Sequence, residues 1–169
     1  MITLVLGGAR SGKSAAAERL AAGLPGPITY LATAAVAEDD PDHVLRVAAH
    51  RARRDPSWTT LETGADLVGA LTTVEGSVLV DSLGTWVTAH ADLSPDLAGL
   101  CAALLERSGD AVVVSEEVGL GVHPSSELGR RFRDVLGAVN VAVADIADDV
   151  YLVVAGRLLE LRRPSSDGP

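Results

Sequence analysis

Lysine is nearly missing from this sequence. Lys13 is the only one among 14 basic residues, the rest being arginine. Aromatic residues are also scarce, at 3%, and there is one cysteine. A lone Cys101 cannot close an internal disulfide, which fits a reducing cytoplasm as the expected location. It lies in an apolar segment over residues 97–105, where a small core hydrophobe is the plain reading. Positive charge is outweighed as well: 23 acidic residues leave a formal net charge of −9. That excludes a general nucleic-acid binder, which needs a basic face. No apolar run reaches the length of about 20 residues that a membrane span needs. The run Ile2-Thr3-Leu4-Val5-Leu6 is too short for a signal peptide and has no basic segment before it. An Asn-Lys-x-Asp guanine motif is absent too.

Against these absences stands one dense motif. After the apolar run comes Gly7-Gly8-Ala9-Arg10-Ser11-Gly12-Lys13-Ser14, a G-x-x-x-x-G-K-S phosphate-binding loop between a strand and a helix. Glycines let successive N–H groups converge on phosphate oxygens, and the helix start adds partial positive charge there. In this pattern Lys13 reaches the β- and γ-phosphates and the Ser14 hydroxyl takes Mg²⁺. A glycine-rich turn with a chance lysine is the competing reading. The lysine count decides against it, because a composition that otherwise uses arginine keeps its one compact ammonium where a phosphate suits it.

At 169 residues and 47% hydrophobic content the chain is expected to fold as one domain over 1–163, with a mobile polar tail at 164–169. Uninterrupted apolar runs read as buried parallel strands at 2–6, 28–32, 77–81 and 111–115, with a short strand at 58–62. Helices are expected over 14–22, 43–54, 65–71, 82–90, 96–107 and from Ser125 or Ser126 to about 148. Residues 150–154 and 157–161, separated by Ala155-Gly156, read as a terminal hairpin. The fold class is therefore α/β: a three-layer P-loop NTPase-like fold with a mostly parallel central sheet and an antiparallel C-terminal strand. In such sheets ligands gather at the carboxyl ends of strands, which places Ala32, Thr33 and Ala34 toward the nucleotide.

Two further stretches carry chemistry. Arg46, His50, Arg53 and Arg54 fall on one helical face, i, i+4, i+7 and i+8. A solvated face paired with nearby acids is one reading. The other is a phosphate-holding stripe in which neighbouring cations keep the His50 imidazole neutral and nucleophilic. The strand Ser77-Val78-Leu79-Val80 closes on Asp81, the Walker B pattern whose carboxylate meets Mg²⁺ directly or through water. A turn-forming aspartate is the alternative there. Arg130, Arg131 and Arg133 form a second basic cluster, read as a solvated helix start.

With these residues on the page, the sequence resembles the bifunctional adenosylcobinamide kinase / adenosylcobinamide-phosphate guanylyltransferases of cobalamin biosynthesis. The likeness runs from Leu4 to about Leu161. It takes in the loop at 7–14, Tyr30 to Thr33, the Arg46-to-Arg54 block, Trp58, Glu62, Asp81-Ser82 and Trp86. Further on it includes Glu117-Val118-Gly119, Pro124, Phe132-Arg133-Asp134, Gly137, Asn140 and Asp148. The resemblance implies phosphorylation of adenosylcobinamide by ATP or GTP, then transfer of GMP from GTP to its phosphate through a guanylylated histidine. Carried over by position, His50 and Lys13 are the catalytic residues. Gly7, Gly8, Ala9, Arg10, Ser11, Gly12, Lys13, Ser14, Ala32, Thr33, Ala34, Arg51, Ala52, Arg53, Arg54, Glu62 and Asp81 match nucleotide-contacting segments, with an acid reading the guanine N–H edge. Ser14 and Asp81 would hold Mg²⁺. The family also implies a homotrimer, with adenosylcobinamide and its phosphate as the partners. The chain departs from the pattern at Glu116, where asparagine is expected, and at His90 and His123. A simple P-loop small-molecule kinase without nucleotidyl transfer, or a GTP-dependent regulatory switch, are the rival functions.

Overall fold

A computed structural model describes residues 1–34 and 55–164. Its frame is one seven-stranded sheet. The strands are β1 (Ile2–Gly7), β2 (Ile28–Ala32), β3 (Thr59–Glu62), β4 (Ser77–Asp81), β5 (Ala111–Glu116), β6 (Asp149–Val154) and β7 (Arg157–Glu160). The described helices are α1 (Lys13–Ala21), α2 (Leu67–Thr73), α3 (Leu83–Thr88), α4 (Leu97–Glu106) and α5 (Glu127–Ile146). The expected helix over 43–54 lies wholly outside the described residues, as does the tail beyond Pro164.

Strand order is β3-β2-β4-β5-β1-β6-β7. Every pairing is parallel except β6–β7, which is antiparallel across the turn at Ala155 and Gly156. Parallel strands need their faces covered, and the period of two in each inner strand supplies two apolar faces. From β1, Leu4 and Leu6 point into the larger core, which also takes Val80, Leu83, Trp86, Leu104, Val113 and Leu136. Val5 points the other way, joining Tyr30, Leu79, Val114 and Val153 against Ala16, Ala17 and Ala21 of α1. Alanines on that face of α1 let the helix lie close to the sheet. On α5, Leu136, Val139, Asn140 and Val143 are buried at i, i+3, i+4 and i+7, the pattern of a helix with one core face. Helix, sheet and helix thus form the three layers expected.

Helix starts are closed locally. Asp66 accepts from the Gly69 N–H, Asp96 from Gly99 and Ser126 from Gly129, and Ser82 forms a capping box with Thr85. Each boundary falls within about two residues of the expected one, because these caps and the Gly/Pro breaks are local signals. No helix among the described residues is long and apolar enough to cross a membrane.

Candidate active site

The phosphate loop leaves β1 at Gly7 and enters α1 at Lys13, as the motif requires. Gly12 adopts φ +93°, in the region L side chains disfavour. Of the described helices, α1 is the one with no side-chain cap, so its first N–H groups stay with the loop. The C-terminal hairpin braces the loop from behind, since the Gly156 N–H donates to the Ser11 carbonyl at 2.8 Å. Ser11 Oγ is buried with no hydrogen-bond partner among the described residues.

Lys13 curls inside the loop. Its ammonium donates to the Gly8 carbonyl at 3.4 Å and lies 3.6 Å from Glu116 Oε1. Adjacent strands bring the other groups to the same edge. Asp81 ends β4, next to β5, and its Oδ2 accepts from the Tyr30 hydroxyl at 2.6 Å. Thr33 is fully buried just past β2. Its hydroxyl donates to the Ser82 carbonyl at 2.6 Å and accepts from the Ser82 N–H at 2.9 Å, tying the end of β2 to the turn after Asp81. Ala32 ends β2, with Ala34 two places on, and Glu62 ends β3 on an exposed strand. Loop, Thr33, Glu62 and Asp81 therefore share the carboxyl end of the sheet, where parallel α/β folds take ligands. His50, Arg51, Ala52, Arg53 and Arg54 lie outside the described residues.

Several residues that carried the resemblance have structural work. Trp86 is fully buried and its Nε1–H donates to the Ala65 carbonyl at 3.1 Å. Asp148 accepts the Ile2 N–H at 2.7 Å, and Asn140 accepts from Ser115 Oγ at 2.5 Å. The basic cluster on α5 is more than a solvated helix start. Arg130 donates to the carbonyls of Pro124 and Ser125, Arg131 to Ser94 Oγ, and Arg133 meets both Asp134 and His123 Nδ1. Arg130 and Arg133 thereby fasten the loop that follows β5, and Arg131 reaches the turn before α4. Reading the chain in order missed the contacts around Glu116 altogether: Ser82 and Gly84 both donate to its carboxylate. A glycine two places after a capping serine was the only trace, and such glycines are common.

A phosphate loop on β1, an acid-ended strand two places away and a mostly parallel sheet define a P-loop nucleoside-triphosphate-binding protein. The same fold is found in an ATPase from the type III secretion system of pathogenic bacteria, with a TM-score of 0.60 and 12% identity. That match covers 89% of this chain, which spans 50% of the ATPase chain. Residues 3–161 match the cobinamide kinase / cobinamide phosphate guanyltransferase family, and the chain belongs to that family. It is 40% identical to the bifunctional adenosylcobalamin biosynthesis protein CobP of Pseudomonas aeruginosa, over 96% of this chain and 98% of that protein. It is 35% identical to the corresponding CobU protein of Escherichia coli, over 92% and 97% respectively. The chain is accordingly an enzyme of a kinase and nucleotidyltransferase family, as the resemblance implied.

Proposed function

We propose that this chain phosphorylates the aminopropanol hydroxyl of adenosylcobinamide with ATP or GTP and then transfers GMP from GTP to the resulting phosphate. The observation that carries the reading is Lys13, the sole lysine, held inside an uncapped phosphate loop in a chain matched to the family from 3 to 161. In the kinase step the hydroxyl oxygen attacks the γ-phosphorus and gives up its proton to solvent. The bond to the β–γ bridging oxygen breaks, and the nucleoside diphosphate leaves with that electron pair. Loop N–H groups and Lys13 offset the charge that develops.

For guanylyl transfer we assign the nucleophile to His50. Its neutral ring nitrogen attacks the α-phosphorus of GTP, a P–N bond forms, and pyrophosphate departs. An oxygen of the corrinoid phosphate then displaces the imidazole, which takes back its electron pair. Arg51, Arg53 and Arg54, with Ala52 between them, belong to the phosphate contacts in this reading, and Glu62 to the guanine edge.

Ser14 and Asp81 offer the hard oxygen donors that Mg²⁺ prefers. Among the described residues no group of three or more acidic, His or Cys side chains forms a cage. That fits an ion held by one or two protein oxygens with substrate phosphates supplying the rest. When bound, Mg²⁺ neutralises phosphate charge. A homotrimer is part of the same proposal, supported by the exposed edge strand β7 with Leu158 at 45% and Leu159 at 57% exposure. So is a cytoplasmic location, supported by the single cysteine.

The test is a product assay with adenosylcobinamide, Mg²⁺ and each nucleotide, scoring phosphorylated and guanylylated corrinoid separately. Both products are expected, with nucleoside diphosphate from the first step and pyrophosphate from the second; absence of pyrophosphate would reduce the protein to a simple kinase. With α-labelled GTP the parent should carry acid-labile label and His50→Ala none. Equal labelling of that variant refutes the histidine assignment.

A further inference from the structure

Glu116 is an acid placed beside a loop built for a polyanion, and its surroundings hold it there. Both carboxylate oxygens accept from Ser82 Oγ, at 2.9 and 3.0 Å. Oε2 also accepts from the Gly84 N–H at 3.0 Å, at the start of α3. A Cβ at position 84 would crowd that oxygen, so glycine there leaves the carboxylate its place against the helix start. The backbone is pinned as well: Glu116 registers with Gly7 of the loop, and its carbonyl accepts from Nδ2 of buried Asn140 at 3.0 Å. Two donors and a fixed backbone keep the carboxylate from turning away.

Lys13 is the cation facing it, at 3.6 Å, with side chains only 13% and 27% exposed. Partial burial strengthens both the attraction within this pair and the repulsion between Glu116 and an arriving phosphate. The same ammonium is the group the loop offers to β- and γ-phosphates. It therefore has two competing anionic partners, one resident and one incoming.

We propose that Glu116 is the resting counter-ion of Lys13, a positioning residue with which a triphosphate must compete for the ammonium, and that it makes nucleotide affinity depend on an accompanying divalent cation. The inference rests on the reading of the loop as a triphosphate site. A metal-free triphosphate brings its full negative charge against the fixed carboxylate. A magnesium-bound one brings two units less, and the repulsion falls accordingly.

The experiment measures the dissociation constant of GTP and of ATP by calorimetry, in EDTA and in excess magnesium chloride, without corrinoid. For Glu116→Gln, similar in shape but neutral, metal-free affinity should rise about tenfold while affinity with magnesium changes less than about threefold. Glu116→Asp keeps the charge and should stay within about threefold of the parent in both conditions. No gain for Glu116→Gln in EDTA overturns the proposal, as does an equal gain for Glu116→Asp, which would mark a packing effect. Glu116→Asn serves as a second neutral variant with the same expected gain. The parent supplies an independent readout, because ε-carbon labelling of lysine yields one signal, that of Lys13. Magnesium–nucleotide should move this signal at a concentration at least about tenfold lower than nucleotide in EDTA; equal requirements overturn the proposal. A parent that binds no nucleotide under either condition defeats the loop reading and this inference together. One that binds, with unchanged variants, defeats this inference alone.

Discussion

The two ends of the sheet are sealed in opposite ways. At the amino ends of the strands, charged and polar side chains are spent on backbone groups. Arg107 donates from Nε to the Gly109 carbonyl at 3.0 Å and from a terminal nitrogen to the Gly76 carbonyl at 2.5 Å. Burial pulls its guanidinium down from the usual arginine value, and Asp110 partly offsets this. Asp148 likewise holds the Ile2 N–H, and Ser77 Oγ holds the Pro25 carbonyl at 2.7 Å. At the carboxyl ends the central contacts run between side chains: Lys13 with Glu116, Ser82 with Glu116, Tyr30 with Asp81. A side chain whose hydrogen bonds all go to backbone is committed to the fold. A side chain bonded to another side chain can exchange that partner for a ligand at modest cost. The polar contacts at the amino ends are thus committed to backbone, and those at the carboxyl ends are of the kind a ligand can exchange.

The largest effect that would break this contrast is at Lys13. Lys13→Ala should lower kcat for corrinoid phosphorylation by about 10²–10³, the scale of losing a preorganised charge contact. Its melting temperature should move by less than about 3 °C, and a collapse on heating would make the lysine structural. Arg107→Ala should show the reverse. Stranding two carbonyls costs about 2 kcal/mol, or about 4–8 °C in melting temperature for a chain of this size. Its kcat should stay within about twofold, and a large loss of turnover would dissolve the distinction between the ends. Tyr30→Phe tests the border, since the ring is in the core and its hydroxyl reaches Asp81. The expected cost is about 1 kcal/mol. KM for nucleotide should rise about two- to threefold as Asp81 loses an orienting donor, and a change in stability alone would assign the hydroxyl to the fold.

Much of the fold was legible because its signals are local. Apolar runs of about five residues, Gly/Pro breaks and capping residues such as Asp96 and Ser126 each act within a turn or two, so strands and helices could be placed before their partners were known. The phosphate loop was legible for the same reason, its chemistry being contained in eight consecutive residues. The arginines at 130, 131 and 133 were harder. Their charge pattern matches a solvated helix face, and only the folded path of the loop before α5 and the approach of Ser94, 37 residues from Arg131, give them carbonyl and hydroxyl partners. Trp86, Asn140 and Asp148 show the converse. A family pattern marks them without saying whether they touch substrate or hold strands together, and here they are bonded to protein backbone or to Ser115.

What the sequence determined by itself is the kind of ligand: a glycine-rich turn ending in one retained lysine specifies phosphate, whatever surrounds it. Tertiary structure alone decided which anion that lysine faces while it waits. Glu116, at the end of β5, and Ser82, just past β4 at the start of α3, are 34 residues apart in the chain. They meet at Lys13 because β5 inserts between β4 and β1 in the sheet. Strand order is fixed by burial of many side chains at once, and no short stretch of residues encodes it.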